Sequence, residues 1–267
     1  MLASLTDYNA SLNAGLMQEF SVHKVGGTMQ GAGTWMRLWT ASGAPGAGAE
    51  PAATPGTAYS NATGGIIFGD SSPTTKQLVT IELASTQQCV VALYDRLVGV
   101  SGISLAATGA KTVNSTALTR YSGAAANVVE PWIEITTATT TTAAILSASS
   151  YTNESGTAAR AGATVTLPAA ATVLNATIRL PLQAGDRGVR SIESLNVATA
   201  AAAGVCNVVL RRRLGQLFIP TNGSSLLTLP VDRLGAPQVF DGATLELLVL
   251  PNATTATTIM GSITIGS

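Results

Sequence analysis

One pattern of nine positions occurs twice in this chain. Cys89-x-Val91-x-Leu93-x-x-Arg96-Leu97 is matched by Cys206-x-Val208-x-Leu210-x-x-Arg213-Leu214, with every position displaced by the same interval. In each copy Cys, Val and Leu fall at alternate positions, which gathers them on one face of a β-strand. The opposite face ends in arginine. A second correspondence follows each copy, because Ile133-Glu134-Ile135 aligns with Leu245-Glu246-Leu247 and both lead through a Thr-rich connection to another strand. A chain carrying such pairs reads as two related halves, each a hairpin, an irregular excursion and a hairpin.

The remaining periodicity agrees with that reading. Alternating apolar residues mark strands at 76–85, 89–98, 130–137, 143–152, 163–167, 173–182, 189–199, 204–214, 226–229, 243–250 and 257–265. Short strands with turn signals at intervals of roughly ten residues argue for a sandwich or barrel. The expected fold is all-β: a β-sandwich or jelly-roll-like body whose pseudo-repeated halves are residues 76–167 and 168–267, preceded by an extended N-terminal arm, residues 1–75. Within that arm Leu12, Leu16, Met17 and Phe20 suggest one short helix. Residues 31–75 are punctuated throughout by Gly and Pro and offer little regular structure. Yet Trp35, Met36, Leu38 and Trp39 sit among them, and large apolar groups are costly to leave wet. Either they order against a neighbouring molecule or they cover one end of the protein's own core.

Charged residues make up 10% of the 267, and the 14 basic and 14 acidic side chains cancel. That balance leaves no electrostatic footprint for nucleic acid or an anionic membrane. So little charge suits a subunit lying in an assembly better than one diffusing alone. No apolar run reaches the roughly 20 residues of a membrane span; the nearest, 197–210, is interrupted by Thr199 and Asn207. The first residues lack the basic and apolar regions of a signal peptide, so synthesis in a reducing host cytoplasm is expected. Cys89 and Cys206 are then buried free thiols acting as small hydrophobes.

No group of residues announces catalysis. Acid–base mechanisms of the Ser-His or Cys-His kind need a histidine, and the one histidine, His23, lies in a Gly-flanked region far from both cysteines. Carboxylates are scattered, without the grouping that metal sites need. Any two of Glu82, Glu134 and Glu246 could form a glycosidase pair, but nothing points there. Arg211-Arg212-Arg213 is expected to answer acidic groups on a neighbouring subunit, and Tyr94-Asp95-Arg96 to end a strand at a subunit contact. Asp186-Arg187 and Asp232-Arg233 read as local ion pairs in turns. The expectation is a protein that is not an enzyme, with no cofactor and no metal.

Four segments carry a resemblance: LYDRL (93–97), TVNSTALTR (112–120), SYTNESG (150–156) and LQAGDRGV (182–189). Together they resemble virion structural proteins of tailed bacteriophages, over about residues 76–215. The resemblance implies a virion component without catalytic residues. With the low charge and the Gly/Pro/Trp arm, it leads to the expectation of a capsid decoration or cement protein. Such a protein would sit on the outer surface of the head, bind the major capsid protein and form a homotrimer. Trp35 and Trp39 would anchor the arm and Arg37 would supply a polar contact. The alternatives are a tail-tube, adaptor or fibre component, and a carbohydrate- or receptor-binding β-sandwich.

Overall fold

Cys89–Ser104 and Val205–Ile219, rich in β-branched and apolar residues and buried on both faces over much of their length, are the two longest strands among the described residues. They pair with each other antiparallel through the middle of the molecule. The computed structural model describes residues 5–28, 31–69, 75–139, 142–168, 174–220, 223–228 and 237–266. In chain order it contains α1 (Leu5–Asn13), β1 (Gln18–Thr28), β2 (Met36–Arg37), β3 (Ser42–Ala44), β4 (Thr57–Ala58), β5 (Thr75–Ser85), β6 (Cys89–Ser104), β7 (Gly109–Thr112), β8 (Val129–Thr137) and β9 (Ile145–Asn153). There follow β10 (Val165–Thr166), β11 (Thr177–Arg179), β12 (Val189–Thr199), β13 (Val205–Ile219), β14 (Ser224–Thr228), β15 (Gln238–Phe240), β16 (Leu245–Pro251) and β17 (Ala256–Gly266). The protein is all-β, a sandwich-like body of curled antiparallel sheets.

Three sheets share one core. The first runs β14-β5-β17-β1-β3, with β15 also on β5; the second runs β10-β9-β12-β7; the third runs β11-β8-β13-β6-β16-β2, with β4 also on β6. Leu93, Ile133, Cys206, Leu210 and Leu247 from one face of the third sheet meet Ile81, Ile263, Leu146, Ile192 and Leu195 from the other two. All are essentially without solvent contact.

The third sheet closes on itself. Its two edge strands, β2 and β11, are joined by a bridge between Met36 and Ala176, by Arg37 N–H donating to the Asn175 carbonyl at 3.0 Å, and by Thr177 N–H donating to the Trp35 carbonyl at 2.7 Å. The result is a small barrel whose outer face packs into the main core and whose interior side chains fill it, as in other barrels of few strands.

The repeated strands occupy the middle of this barrel, and Asp95 on β6 lies directly opposite its repeat counterpart Arg212 on β13. Their flanking strands take equivalent places, β16 outside β6 and β8 outside β13. The register departs from the sequence alignment, however. Glu246 faces Tyr94, whereas the residue facing Arg211, the counterpart of Tyr94, is Glu130 and not Glu134. Strands from residues 76–167 and 168–267 thus alternate across one sheet. Cys89 faces Ile219 and Cys206 faces Ile103, which sets the two free thiols about 40 Å apart along the strands.

Three expectations need correction. The expected hairpins do not form: β5 and β6, β8 and β9, β12 and β13, and β16 and β17 are consecutive strands that lie in different sheets. The helix expected around Leu12 to Phe20 ends at Asn13; Gly15 takes positive φ, and residues 18–28 form a strand laddered on β17 from Gln18↔Ile265 to Val25↔Thr258. Phe20 and Val22 alternate inward there, a period of two hidden in the sequence by polar neighbours. The strand expected at 173–182 shrinks to β11, with Val173 outside the described residues. Leu229 and the Asp232-Arg233 pair also lie outside them.

Candidate functional site

The barrel interior holds a buried cluster of charged residues in this charge-poor chain. Arg96 and Arg211, facing each other on β6 and β13, point inward together with Glu134 of β8 and Glu246 of β16; all four are buried. Arg96 Nη1 donates to Glu134 Oε1 at 2.7 Å and to Glu246 Oε2 at 3.0 Å, and its Nη2 to Glu134 Oε2 at 3.0 Å. Arg211 Nε donates to Glu246 Oε1 at 2.5 Å, its Nη1 to Thr177 Oγ1 at 3.1 Å, and its Nη2 to Glu134. Arg37 of β2 adds a third cation, 2.8 Å from Glu134 Oε2 and 2.5 Å from Glu50 Oε1. With Glu50 included, the charges balance.

Buried ions of this kind are expensive unless paired and hydrogen-bonded. Burial opposes the charged form of Glu134, but Arg96, Arg37 and Arg211 outweigh it and hold the carboxyl well below its usual range. For Arg96, burial is likewise overcome by Glu134 and Glu246, which raise its pKa well above the ordinary value. The arrangement is a locked structural network. Sealed from solvent and saturated with partners, neither Glu134 nor Glu246 is placed to protonate or attack a substrate. Glu82, the third of the expected carboxylates, is exposed on β5.

Residues 37–68 plug one end of the barrel. Trp39 is buried, donates from Nε1 to the Ala49 carbonyl at 2.7 Å, and meets the Tyr59 ring edge-on at 5.4 Å. The Arg96 guanidinium lies 4.7 Å from the Trp39 ring centre and 4.9 Å from that of Tyr59. Glycine is what allows this fit: a Cβ on Gly48 would stand 2.2 Å from the Trp39 ring, and one on Gly64 would stand 2.1 Å from the Gly48 Cα. Of the three residues expected to anchor a docking arm, Arg37 and Trp39 are therefore committed inside the chain. Trp35 is half-buried at the other end of the barrel.

That other end is open. A cleft of about 660 Å³ is lined by Trp35, Tyr94, Glu130, Trp132, Arg179 and Arg213, among others. Trp132 is met edge-on by Trp35 at 6.5 Å and by Tyr94 at 5.7 Å, and the buried Arg211 lies 5.8 Å from its ring centre. Glu130 Oε2 accepts from Trp132 Nε1 at 3.2 Å and from Tyr94 Oη at 3.4 Å, while Arg179 Nη1 is 3.4 Å from Oε1. Burial, reinforced by Glu130, pushes the Tyr94 phenol far up, so it is a donor at any physiological pH. Arg213 is exposed, touching Gln216 at 3.3 Å.

Several sequence expectations for charged residues change here. Asp95 sits mid-strand, and Arg120 donates to both its oxygens, at 3.0 and 2.8 Å, so its partner is within the chain. The arginine run splits three ways: Arg211 enters the ion network, Arg212 stacks 4.5 Å above Tyr121, and Arg213 reaches the cleft. Asp186 pairs with Arg160 rather than Arg187, and also accepts from Tyr151 at 2.5 Å and Asn153 at 2.9 Å. Glu130 and Tyr94 as cleft residues were missed; the one sequence signal was Trp132 beside Glu130 in EPWIEITT. His23 lies exposed on β1 opposite Met260. Among the described residues no cluster of His, Cys, Asp and Glu is arranged for a metal, and no helix is long and apolar enough to cross a membrane.

No protein-family model and no curated protein matches the chain. Among solved structures it can be laid over the infectious bursal disease virus VP2 subviral particle at 9% identity, over 94% of this chain and 80% of that one, with a TM-score of 0.18. The D431N VP2 of the same virus aligns at 9% identity over 93% of this chain and 40% of that one, with a TM-score of 0.11. Likenesses at this level carry no argument about fold or role.

Proposed function

We propose that the chain is a non-enzymatic virion structural protein of a tailed bacteriophage, acting as a decoration protein on the outer surface of the head. The observation that supports this most is how the four family-like segments are used. LYDRL supplies Asp95 and TVNSTALTR supplies Arg120, which pair in the core; SYTNESG supplies Tyr151 and Asn153, and LQAGDRGV supplies Asp186, which they hold. The resemblance therefore falls on residues that staple a fold together, as expected of a shared scaffold rather than a shared reaction. Two of the three carboxylates considered for acid–base chemistry, Glu134 and Glu246, are spent in the barrel interior. In this reading the protein sits as a homotrimer on the major capsid protein, touching it through residues 1–75.

The deciding experiment is binding of the purified full chain to phage heads assembled without it, followed by electron cryomicroscopy. Density at three-fold or quasi-three-fold positions of the shell is the expected result. Binding confined to tails or to the portal vertex would replace the decoration role with a tail or adaptor role. Absence of binding to any particle would overturn the virion reading.

A further inference from the structure

We propose that the open mouth of the barrel is a binding site for an acidic saccharide, a sugar ring carrying a carboxylate. Barrel mouths are recurrent ligand sites, and a volume of about 660 Å³ falls within the range of small-molecule pockets. The chemistry of the wall then narrows the ligand. Trp35 is half-buried and lines the cleft, so part of its indole is available to a ligand, while Trp132 meets it edge-on and is itself met edge-on by Tyr94. A sugar ring presents just such a combination, an apolar C–H face for an aromatic platform and hydroxyls at its edge. Around the platform stand Glu130, Arg179, Arg213, Thr34 and Thr166. Glu130 is held only by contacts of 3.2 to 3.4 Å, leaving capacity to accept from a ligand hydroxyl.

The charge balance supplies the acidic part. Two arginines flank one carboxylate, so the mouth carries one surplus guanidinium. Arg213, with one long contact to Gln216, is free to present its planar fork to a carboxylate. A purely apolar ligand would strip water from three charged groups without replacing it. A doubly charged phosphate would face Glu130 across the same small space. An extended peptide would need an open strand edge, but β11 at this mouth is already paired on both sides, with β8 and with residues 35–37. Among these ligand classes an acidic sugar best matches the aromatic platform and the charged rim, with Ala143, Leu167, Pro168 and Ile178 completing the lining as apolar surface.

The test uses trigalacturonate as the probe and maltotriose as its neutral counterpart, with intrinsic tryptophan fluorescence of the full-length protein as the readout. Two of the three tryptophans line the mouth. Saturable quenching by trigalacturonate is expected, with maltotriose weaker by about ten-fold or more, the worth of one charge-assisted contact. Arg213→Ala should lose about the same factor, and Trp35→Ala should abolish the response. Because Arg213 is exposed, its variant keeps the fold and decides the matter if Trp35→Ala does not fold. The absence of saturable quenching, an equal response to maltotriose, or binding unchanged in Arg213→Ala would each overturn the proposal. None of these outcomes depends on whether the protein decorates a capsid.

Discussion

Arg96 and Arg211 face each other across the central strand pair, and a single oxygen of Glu134 accepts from both. Like charges directly opposite on neighbouring strands repel, so this pairing is stable only because two carboxylates are threaded between the cations. The register shows how. Relative to the repeat alignment, β8 is displaced along β13, so that Glu134 lies opposite Asn207 while Glu246 lies opposite Tyr94. From those positions both carboxylates reach Arg96, and both reach Arg211.

Removing the negative charge of Glu134 should therefore be far more harmful than its hydrogen-bond count suggests. Glu134→Gln leaves three arginines with one buried carboxylate and the half-exposed Glu50. A cost of about 3–5 kcal/mol is expected, the usual range for an uncompensated buried charge. Urea unfolding monitored by tryptophan fluorescence measures it. A loss under about 1 kcal/mol, the worth of an ordinary neutral hydrogen bond, would show that the network does not hold the barrel.

Asp186 gives a pH-dependent prediction. The hydrogen bond from Arg160, supported by Tyr151 and Asn153, lowers its carboxyl to about 2 from an ordinary 3.8. A depressed carboxylate contributes stability that is present above its unfolded pKa and lost as pH falls through the folded one. The contribution of Asp186 should thus disappear between about pH 4 and pH 2. Asp186→Asn should cost about 1–2 kcal/mol at neutral pH, and the difference between variant and parent should narrow across that acid window. Denaturant midpoints taken at several pH values would check it; a difference constant from pH 7 to pH 2 would contradict the assignment.

What the sequence disclosed follows from what periodicity can carry. β6 and β13 were legible because Cys, Val and Leu at alternate positions mark one face whatever lies opposite. The closure of the barrel was not, since it rests on the two residues of β2 and a single bridge to Ala176, too short for any pattern. Asp95, Arg96 and Arg211 were read as surface or interface charges because charged residues are almost never fully buried unless paired. Their partners, Arg120, Glu134 and Glu246, lie far away in sequence. Residues 1–75 looked like an arm because the Gly and Pro of 31–75 carry no periodicity. In the folded chain those glycines are what let backbone pack against Trp39 and against itself.

Lys24 predicts the opposite pH behaviour from Asp186. Its Nζ donates to the carbonyls of Ala41 and Gly46 at 3.1 and 3.0 Å, and burial, partly offset by Glu246, lowers its pKa to about 8 from 10.5. Above pH 8 the native state releases this proton while the unfolded chain still holds it, so stability due to this group rises with pH up to about 10.5. Lys24→Met should remove that rise. Tyr94 and Tyr121, whose phenols burial pushes up, act in the reverse sense only above about pH 10. Cys89 and Cys206, whose thiols burial also pushes up, act in that reverse sense from about pH 8.5. The difference in slope between parent and Lys24→Met over about pH 8 to 10 is therefore what isolates the lysine. An unchanged slope in Lys24→Met would refute the assignment.

The plug makes the last prediction. Gly48 N–H donates to the Trp39 carbonyl at 2.8 Å, and the Trp39 ring lies against the Gly48 backbone so closely that a Cβ would stand 2.2 Å from it. The ring cannot retreat, because Arg96 lies over one side of it and Tyr59 meets it edge-on. Gly48→Ala should therefore cost about 1–3 kcal/mol, as overpacking a filled core does, although alanine is favoured over glycine on conformational entropy alone. Its effect should also be local: residues 37–68 become susceptible to limited proteolysis while β6 and β13 stay protected in hydrogen exchange. Gly46, whose Cβ would meet nothing within 4 Å, is the matched control. If Gly46→Ala and Gly48→Ala behaved alike, the stacking of Trp39 on Gly48 would not be what seats the plug.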